Sequence, residues 1–493
     1  MNVQEWLGKI KNKDLFVSNG FVDGKWVTAK NGATFDVIEP STEQVLGQVA
    51  NLDRNDIRRA IASADGAGRK YYKSTTAGER GALLRKWYDA ILANIDDLAI
   101  ILCLENGKTL AEARGEIAYA ASFVGWFSEE AIRAYGDTIP SSAANTTILT
   151  WKQPVGTCAV ITPWNFPAAM VTRKVAPAMA VGCAVVIKPP SETPFTSLAL
   201  TKLAVEVGIP ARLMQVVPTK DREAATELAT NPTIKKLSFT GSTGVGKMLS
   251  KLAAGTMKKV SMELGGNAPF IVFEDADIDV AVDAAMFCKF RCSGQTCVCA
   301  NRFLVHKSVA KEFTEKFVER VKGLKMGPGM DPSTTIGPLI NATAVRKVKE
   351  HVYDAVRLGA TIEVGGGCPE GPGYYHEPTV LSNVSTEAAV ATEETFGPLA
   401  PIFTFETEEQ ALSMANATQF GLAGYFFSND IRRVLRVAAA LEVGMVGINT
   451  GKISAAEAPF GGIKESGVGR EGSMYGMAEY QVIKSVTIGN TDR

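Results

Sequence analysis

Four short β-rich runs, Thr157–Ile161, Ala184–Ile187, Met214–Val217 and Leu237–Phe239, alternate with longer stretches of helical spacing at 168–181, 195–207 and 221–230, with a further one at 245–254. This alternation constrains the fold more than any other feature of the chain. Neighbouring parallel strands need a crossover of a dozen or so residues, and a helix is the usual one. The pattern predicts a doubly wound, mostly parallel α/β unit between about residues 155 and 255.

One such unit does not use up 493 residues. A chain of that length outgrows a single core, so two or three domains are expected. A second α/β block is read from about 260 to 445, with strands at Phe270–Phe273 and Phe303–Val305 and helices near 276–287, 309–323 and 341–358. Upstream, Arg54–Tyr72, Ala77–Glu105 and Glu112–Tyr135 have amphipathic helical spacing and are expected to brace the first unit. The Gly/Pro-rich segments 326–339 and 365–378 read as surface loops. Ala143–Gln153 and Tyr480–Ile488 are rich in Thr, Val and Ile yet polar enough to be edge strands, which points to assembly with another subunit.

Lys plus Arg and Asp plus Glu number 52 each, so no bulk field recruits nucleic acid or an anionic membrane. The N-terminus shows no secretory signal pattern, and no apolar run approaches the ~20 residues that span a bilayer. The eight cysteines are scattered rather than framework-like, which fits reduced thiols in a cytoplasmic setting. The three histidines, His306, His351 and His376, flank no Ser or Cys motif, and no metal-ligand spacing occurs. A Cys–His hydrolase and a zinc enzyme are therefore disfavoured, and no metal is expected.

Chemistry concentrates in three segments: Pro163-Trp164-Asn165-Phe166-Pro167, Met262-Glu263-Leu264-Gly265-Gly266-Asn267, and Gly294-Gln295-Thr296-Cys297-Val298-Cys299. Together they supply a side-chain amide that can hold an oxyanion, a carboxylate that can activate water, and a thiol nucleophile. A fourth segment, Phe239-Thr240 followed by Gly241-Ser242-Thr243-Gly244-Val245-Gly246-Lys247, is a strand, a glycine-rich turn and a helix start. Backbone N–H groups and a helix dipole there can face an anion. It nearly matches a Walker A loop, but Met248 stands where the Mg²⁺-binding hydroxyl belongs. Its glycine spacing also departs from the usual dinucleotide fingerprint. From the residues alone, an anion-binding turn and a plain tight turn both remain open.

Taken in this order, the segments resemble the aldehyde dehydrogenase superfamily over nearly the whole chain, from Phe35 to the tail Gly461-Gly462-Ile463-Lys464-Glu465-Ser466-Gly467. The resemblance implies an α/β fold with a Rossmann-like cofactor domain, an α/β catalytic domain and a small bridging region that assembles homodimers or homotetramers. It divides the chain into 1–134 and 154–260 (cofactor), 261–448 (catalytic), 135–153 and 471–493 (oligomerisation), and 449–470 (a substrate-loop segment joining them). Cys297 matches the family nucleophile, Glu263 the base that activates hydrolytic water, and Asn165 the oxyanion donor, with Lys174 near the active site. On the cofactor side the resemblance implies Trp164, Lys188, Ser191, Gly241, Ser242, Glu394 and Phe396. Ser191 stands where NAD-preferring relatives often carry Glu, so the 2′-phosphate of NADP is not repelled and either NADP or NAD is expected.

Within the superfamily the chain is most similar to the succinate-semialdehyde dehydrogenases, which share Arg173, Arg291 and Ser454. Two guanidinium groups and a hydroxyl suit the far carboxylate of a short aldehyde acid. Glutarate semialdehyde, one methylene longer, is the nearest alternative substrate, and a broader aldehyde range lies beyond it. A nucleotide-binding protein without catalysis is the alternative of a different class. Cys292, where relatives commonly have Asn, and Lys452, where they have an apolar residue, depart from the pattern. Cys299, two residues from the nucleophile, is either a redox partner that closes a reversible disulfide or a packed small side chain.

Overall fold

Thr157–Ile161 is buried at every residue, as a strand covered by helices on both faces must be. The computed structural model describes residues 3–491, and this strand forms the middle of an eight-stranded sheet. Val185–Lys188 and Met214–Val216 follow on one side, all in parallel register. The chain then returns to the other side of Thr157–Ile161 with Ile234–Thr240 and Lys259–Glu263, again parallel. The order of strands thus reverses between Thr157–Ile161 and Ile234–Thr240. In open α/β sheets the crevice at such a reversal is where ligands settle. The loops leaving these two strands carry Trp164-Asn165 and Gly241-Ser242.

The segment 449–470, expected only as a substrate loop, reaches this sheet too. Gly467–Val468 pairs antiparallel with Met262 and Glu263, so the tail fixes the end of the strand that bears Glu263. A second sheet of seven strands is assembled from Ala268 to Ile448 and is parallel except for the hairpin-like pairing of Thr361–Val364 with Thr379–Ser382. Phe270, Phe303, Phe313 and Phe317 interlock beneath it with ring centroids 5.0–6.5 Å apart. Each such fully buried aromatic contributes roughly 1.5–3 kcal/mol of transfer free energy.

Two expectations from periodicity change in detail. Ala77–Glu105 is two helices, Ala77–Ala93 and Ile95–Asn106, because Asn94 leaves the helical region at φ −111°, ψ 20°. Ala143–Gln153 is not an edge within the chain: Thr146–Pro154 is the middle of a three-stranded sheet, between Gln481–Gly489 and Thr138–Ile139. Helix starts are marked by reciprocal capping at Asp53/Asp56, Thr76/Glu79 and Thr109/Glu112. Among the described residues no helix is long and apolar enough to cross a membrane.

Helix Ala169–Ala180 carries charge into the core. All twelve of its residues are buried, including Arg173 and Lys174. Two cations inside a packed core require partners, because an isolated buried charge is very costly. The partner comes from the far end of the chain, where Glu471 accepts from Lys174 Nζ and lies 3.6 Å from Arg173 Nη1.

Candidate active site

The nucleophile segment begins with three successive left-handed residues, Cys292 (φ 50°), Ser293 (φ 54°) and Gly294 (φ 75°). Two of them are not glycine, so the turn carries roughly 1–2 kcal/mol of strain at each. Several hydrogen bonds hold it. The Cys292 N–H donates to Glu112 Oε1 at 2.7 Å, Ser293 Oγ to the Gly337 carbonyl at 2.7 Å, and the Gln295 N–H to the Cys292 carbonyl at 3.0 Å. A Cβ on Gly294 would lie 2.2 Å from the Gly397 carbonyl, and one on Gly266 would lie 2.4 Å from the Cys297 carbonyl. The glycines of two distant motifs are therefore each demanded by a close approach of backbone, Gly294 to Gly397 and Gly266 to Cys297.

Cys297 is half-buried and belongs to the walls of two cavities. The first, of about 600 Å³, is lined by Tyr119, Phe166, Arg173, Arg291, Cys292, Ser454 and Phe460 among others. The second, of about 240 Å³, lies at the strand reversal and is lined by Trp164, Asn165, Thr240, Gly241, Ser242, Gly265, Glu394 and Phe396. The structure thus brings Cys297 and Asn165 together, with all three substrate candidates on one side and five of the seven cofactor candidates on the other.

Asn165 is 4% exposed, and its Nδ2 spends one hydrogen on the Gln295 carbonyl at 2.9 Å. The second amide hydrogen remains for a ligand. Burial pushes the Cys297 thiol up to about 12, with Arg173 as the largest opposing influence. Burial also holds the Glu263 carboxyl well above the usual carboxylate range, and the neighbouring Glu471 adds to the effect. Both Glu263 oxygens are buried without a hydrogen-bond partner, and Oε1 faces the backbone of Gly461. Neither cavity wall includes Glu263 or Lys174. Glu263 lies at the end of the strand Lys259–Glu263, and Lys174 is tied to Glu471.

The second cavity suits a nicotinamide cofactor by its own features. A Cβ on Gly265 would come within 2.8 Å of the Glu394 carboxylate, and one on Gly241 within 2.5 Å of the Phe239 ring, so the cradle depends on bare backbone. Thr240 Oγ1, on its wall, is buried with no partner. Glu394 Oε1 accepts from the Gly266 N–H at 3.0 Å, and burial raises the carboxyl to about 7. Trp164 and Phe396 meet edge to face at 5.5 Å. Lys188 and Ser191 lie outside this wall, at the end of the neighbouring strand Val185–Lys188 and just past it. Lys188 Nζ donates to the Pro189 carbonyl at 3.2 Å, and burial lowers its ammonium pKa. Ser191 Oγ donates to Glu192 Oε2 at 3.1 Å, so a carboxylate does sit beside the serine.

In the first cavity Arg291 makes no hydrogen bond or ion pair among the described residues. Its guanidinium lies over the Phe287 and Phe166 rings at 4.8 and 5.4 Å. Arg173 is more committed, donating to Tyr119 Oη at 2.5 Å beside its contact with Glu471. Cys292 shares the wall and is pushed up to about 11 by burial. Cys299 is 1% exposed and belongs to neither wall; its thiol faces the Lys289 carbonyl at 3.6 Å. Lys452 Nζ lies 5.8 Å from the centre of the Phe287 ring.

Sequence reading misses Glu471, Tyr119, Glu112 and Thr296. Glu471 and Tyr119 carry no motif signal, Glu112 reads locally as a capping-box residue, and Thr296 reads only as a flank of the nucleophile.

Residues 26–486 match the aldehyde dehydrogenase family. A succinate-semialdehyde dehydrogenase [NADP(+)] of Schizosaccharomyces pombe is 53% identical over 96% of this chain and 95% of its own. A glutarate-semialdehyde dehydrogenase of Pseudomonas putida is 52% identical over 97% of this chain and 99% of its own. The crystal structure of an NADP-dependent enzyme of E. coli superimposes with a TM-score of 0.96 at 50% identity, over 98% of this chain and 100% of that one.

Proposed function

Because the chain belongs to the aldehyde dehydrogenase family, we propose that it oxidises succinic semialdehyde to succinate, with NADP or NAD as hydride acceptor. The observation that carries the substrate class is the placement of Arg173, Arg291 and Ser454 on the wall that Cys297 also lines. A cavity with an unpaired guanidinium opposite a thiol suits an aldehyde whose other end is anionic.

The Cys297 thiol gives its proton to water, its thiolate attacks the aldehyde carbon, and the carbonyl oxygen becomes an oxyanion in the thiohemiacetal. The free Asn165 amide hydrogen and the Cys297 backbone N–H stabilise that oxyanion. A nicotinamide cofactor, when bound, would supply the hydride acceptor; loss of hydride from the thiohemiacetal carbon leaves a thioester on Cys297. Glu263 then turns toward the site and takes a proton from water, whose oxygen bonds the acyl carbon as the C–S bond breaks. Its raised affinity for protons suits a base that must hold one after hydrolysis. Lys174 pairs with Glu471, whose other neighbour is Arg173, and supports the site electrostatically. Trp164, Gly241, Ser242, Glu394 and Phe396 would hold the nicotinamide half of the cofactor, with Lys188 and Ser191 toward the adenosine ribose.

The domain division read from the sequence, assembly as a homodimer or homotetramer through the sheet of Thr138–Ile139, Thr146–Pro154 and Gln481–Gly489, and a cytoplasmic setting belong to the same proposal. Support for the last is that all eight cysteines are free.

The test is steady-state reduction of NADP⁺ and NAD⁺ with succinic semialdehyde, glutaric semialdehyde and butanal. The expected result is a large kcat/KM advantage of succinic semialdehyde over butanal. Equal rates for butanal would remove the anion clamp. A preference for glutaric semialdehyde would move the assignment by one methylene, a change worth ~1–3 kcal/mol in such pockets.

A further inference from the structure

We propose that Tyr119 is a substrate-binding residue whose phenol, held and polarised by Arg173, donates a hydrogen bond to the distal carboxylate of the bound aldehyde acid. The inference rests on the acid-aldehyde reading and adds a residue that neither the motifs nor the shared arginine–serine set contains.

Arg173 has little freedom. It projects from a helix buried on all sides and is itself 1% exposed. Its guanidinium is enclosed by the rings of Phe460, Phe123 and Tyr119 at 4.4, 4.7 and 5.6 Å. One terminal nitrogen donates to Tyr119 Oη at 2.5 Å, and the other faces Glu471 at 3.6 Å. The head group is thus pinned from behind and from the side, on the wall of the cavity that Tyr119 also lines.

Tyr119 occupies the opposite situation. It is half-buried on the helix Leu110–Glu130, and its ring is fixed edge-on to Phe123 at 4.9 Å. The phenol oxygen accepts from Arg173, and among the described residues no acceptor takes its own proton. A phenol has one hydrogen to give, and an oxygen that accepts from a cation gives it more strongly, since hydrogen bonds in a chain polarise one another. Tyr119 shares the wall of the 600 Å³ cavity with Cys297, Arg291 and Ser454. The chemical complement of an unengaged, cation-polarised O–H beside an unpaired guanidinium is an anionic oxygen. Butanal offers none at that end. Arg173 thus acts twice, as one guanidinium on the cavity wall and as the cation that polarises Tyr119.

The experiment uses the purified full-length enzyme and its Tyr119→Phe variant, which keeps the ring and its packing. Two readouts are taken: kcat/KM for succinic semialdehyde and for butanal, and the affinity of succinate for the enzyme–NADP⁺ complex by calorimetry. The expected result is a loss of about tenfold or more for succinic semialdehyde, carried mainly by KM, since a hydrogen bond to a charged group is worth ~1.5–3 kcal/mol. Succinate binding weakens by a similar factor, and butanal changes less than about twofold. Equal losses for both aldehydes would mean that the hydroxyl only supports cavity shape, and unchanged values would mean that it meets no substrate. Either outcome overturns the proposal. A wild-type enzyme that does not prefer succinic semialdehyde to butanal would instead fail the acid-aldehyde reading itself, and the Arg291→Gln variant would then be equally silent.

Discussion

Replacing Arg291 with Gln isolates one arm of the anion clamp with little collateral damage. Arg291 makes only ring contacts, with Phe287 at 4.8 Å and Phe166 at 5.4 Å, so no protein hydrogen bond is lost. A carboxylate held bidentately gains two charge-assisted bonds worth ~1.5 kcal/mol each. Gln restores one weaker bond of ~1 kcal/mol, which leaves a net loss of ~2 kcal/mol. At 1.36 kcal/mol per decade that is a fall of roughly 30-fold in kcat/KM for succinic semialdehyde. Butanal lacks the carboxylate and is expected to change by no more than about fivefold, the loose cation–π contacts being worth ~0.5–1 kcal/mol. The assay is initial-rate NADPH formation for both aldehydes at saturating NADP⁺, with wild type in parallel. An equal loss on both substrates would refute the reasoning, because Arg291 would then shape the cavity without meeting the anion.

Glu471→Gln leaves Lys174 and Arg173 buried without an anionic partner, a defect of the kind that costs ~3–5 kcal/mol. Thermal unfolding should show a clearly lower Tm, and Lys174→Met/Glu471→Gln should recover part of it; strictly additive losses would show that the pair is not coupled. Burial raises the Cys297 thiol to about 12, so the thiolate fraction grows tenfold per pH unit across the working range. Alkylation of Cys297 in cofactor-free enzyme by iodoacetamide should therefore keep accelerating beyond about pH 9, and a plateau near the ordinary cysteine value of ~8.5 would contradict the burial argument. Ser191→Glu adds a carboxylate where the 2′-phosphate would sit, and the NADP⁺/NAD⁺ ratio of kcat/KM should fall about tenfold or more. An unchanged ratio would place the phosphate elsewhere.

The alternation of strands and helices from 157 to 254 was legible because buried parallel strands and their crossovers write a local, periodic signal. Asn94 was harder to read, since one residue can stop a helix without disturbing the apolar spacing around it. The middle position of Thr146–Pro154 was not legible either. A strand with a polar face reads alike whether its neighbour is another molecule or the tail of its own chain.

The site divides in the same way. Cys297, Asn165 and Glu263 stand in short glycine- and proline-bounded segments, and the glycines mark where backbones must approach closely. Gly266 against the Cys297 carbonyl is the physical content of that signal. The sequence by itself therefore determined the fold class and, in Cys297, Glu263 and Asn165, held the residue types on which the proposed chemistry is built, because those rest on residue type and local spacing. The tertiary structure alone decided which charges meet. Lys174 and Glu471 are 297 residues apart, and Arg173 and Tyr119 are 54 apart on different helices. The direction and strength of a buried hydrogen bond depend on the partner that packing delivers, and no spacing along the chain records that partner.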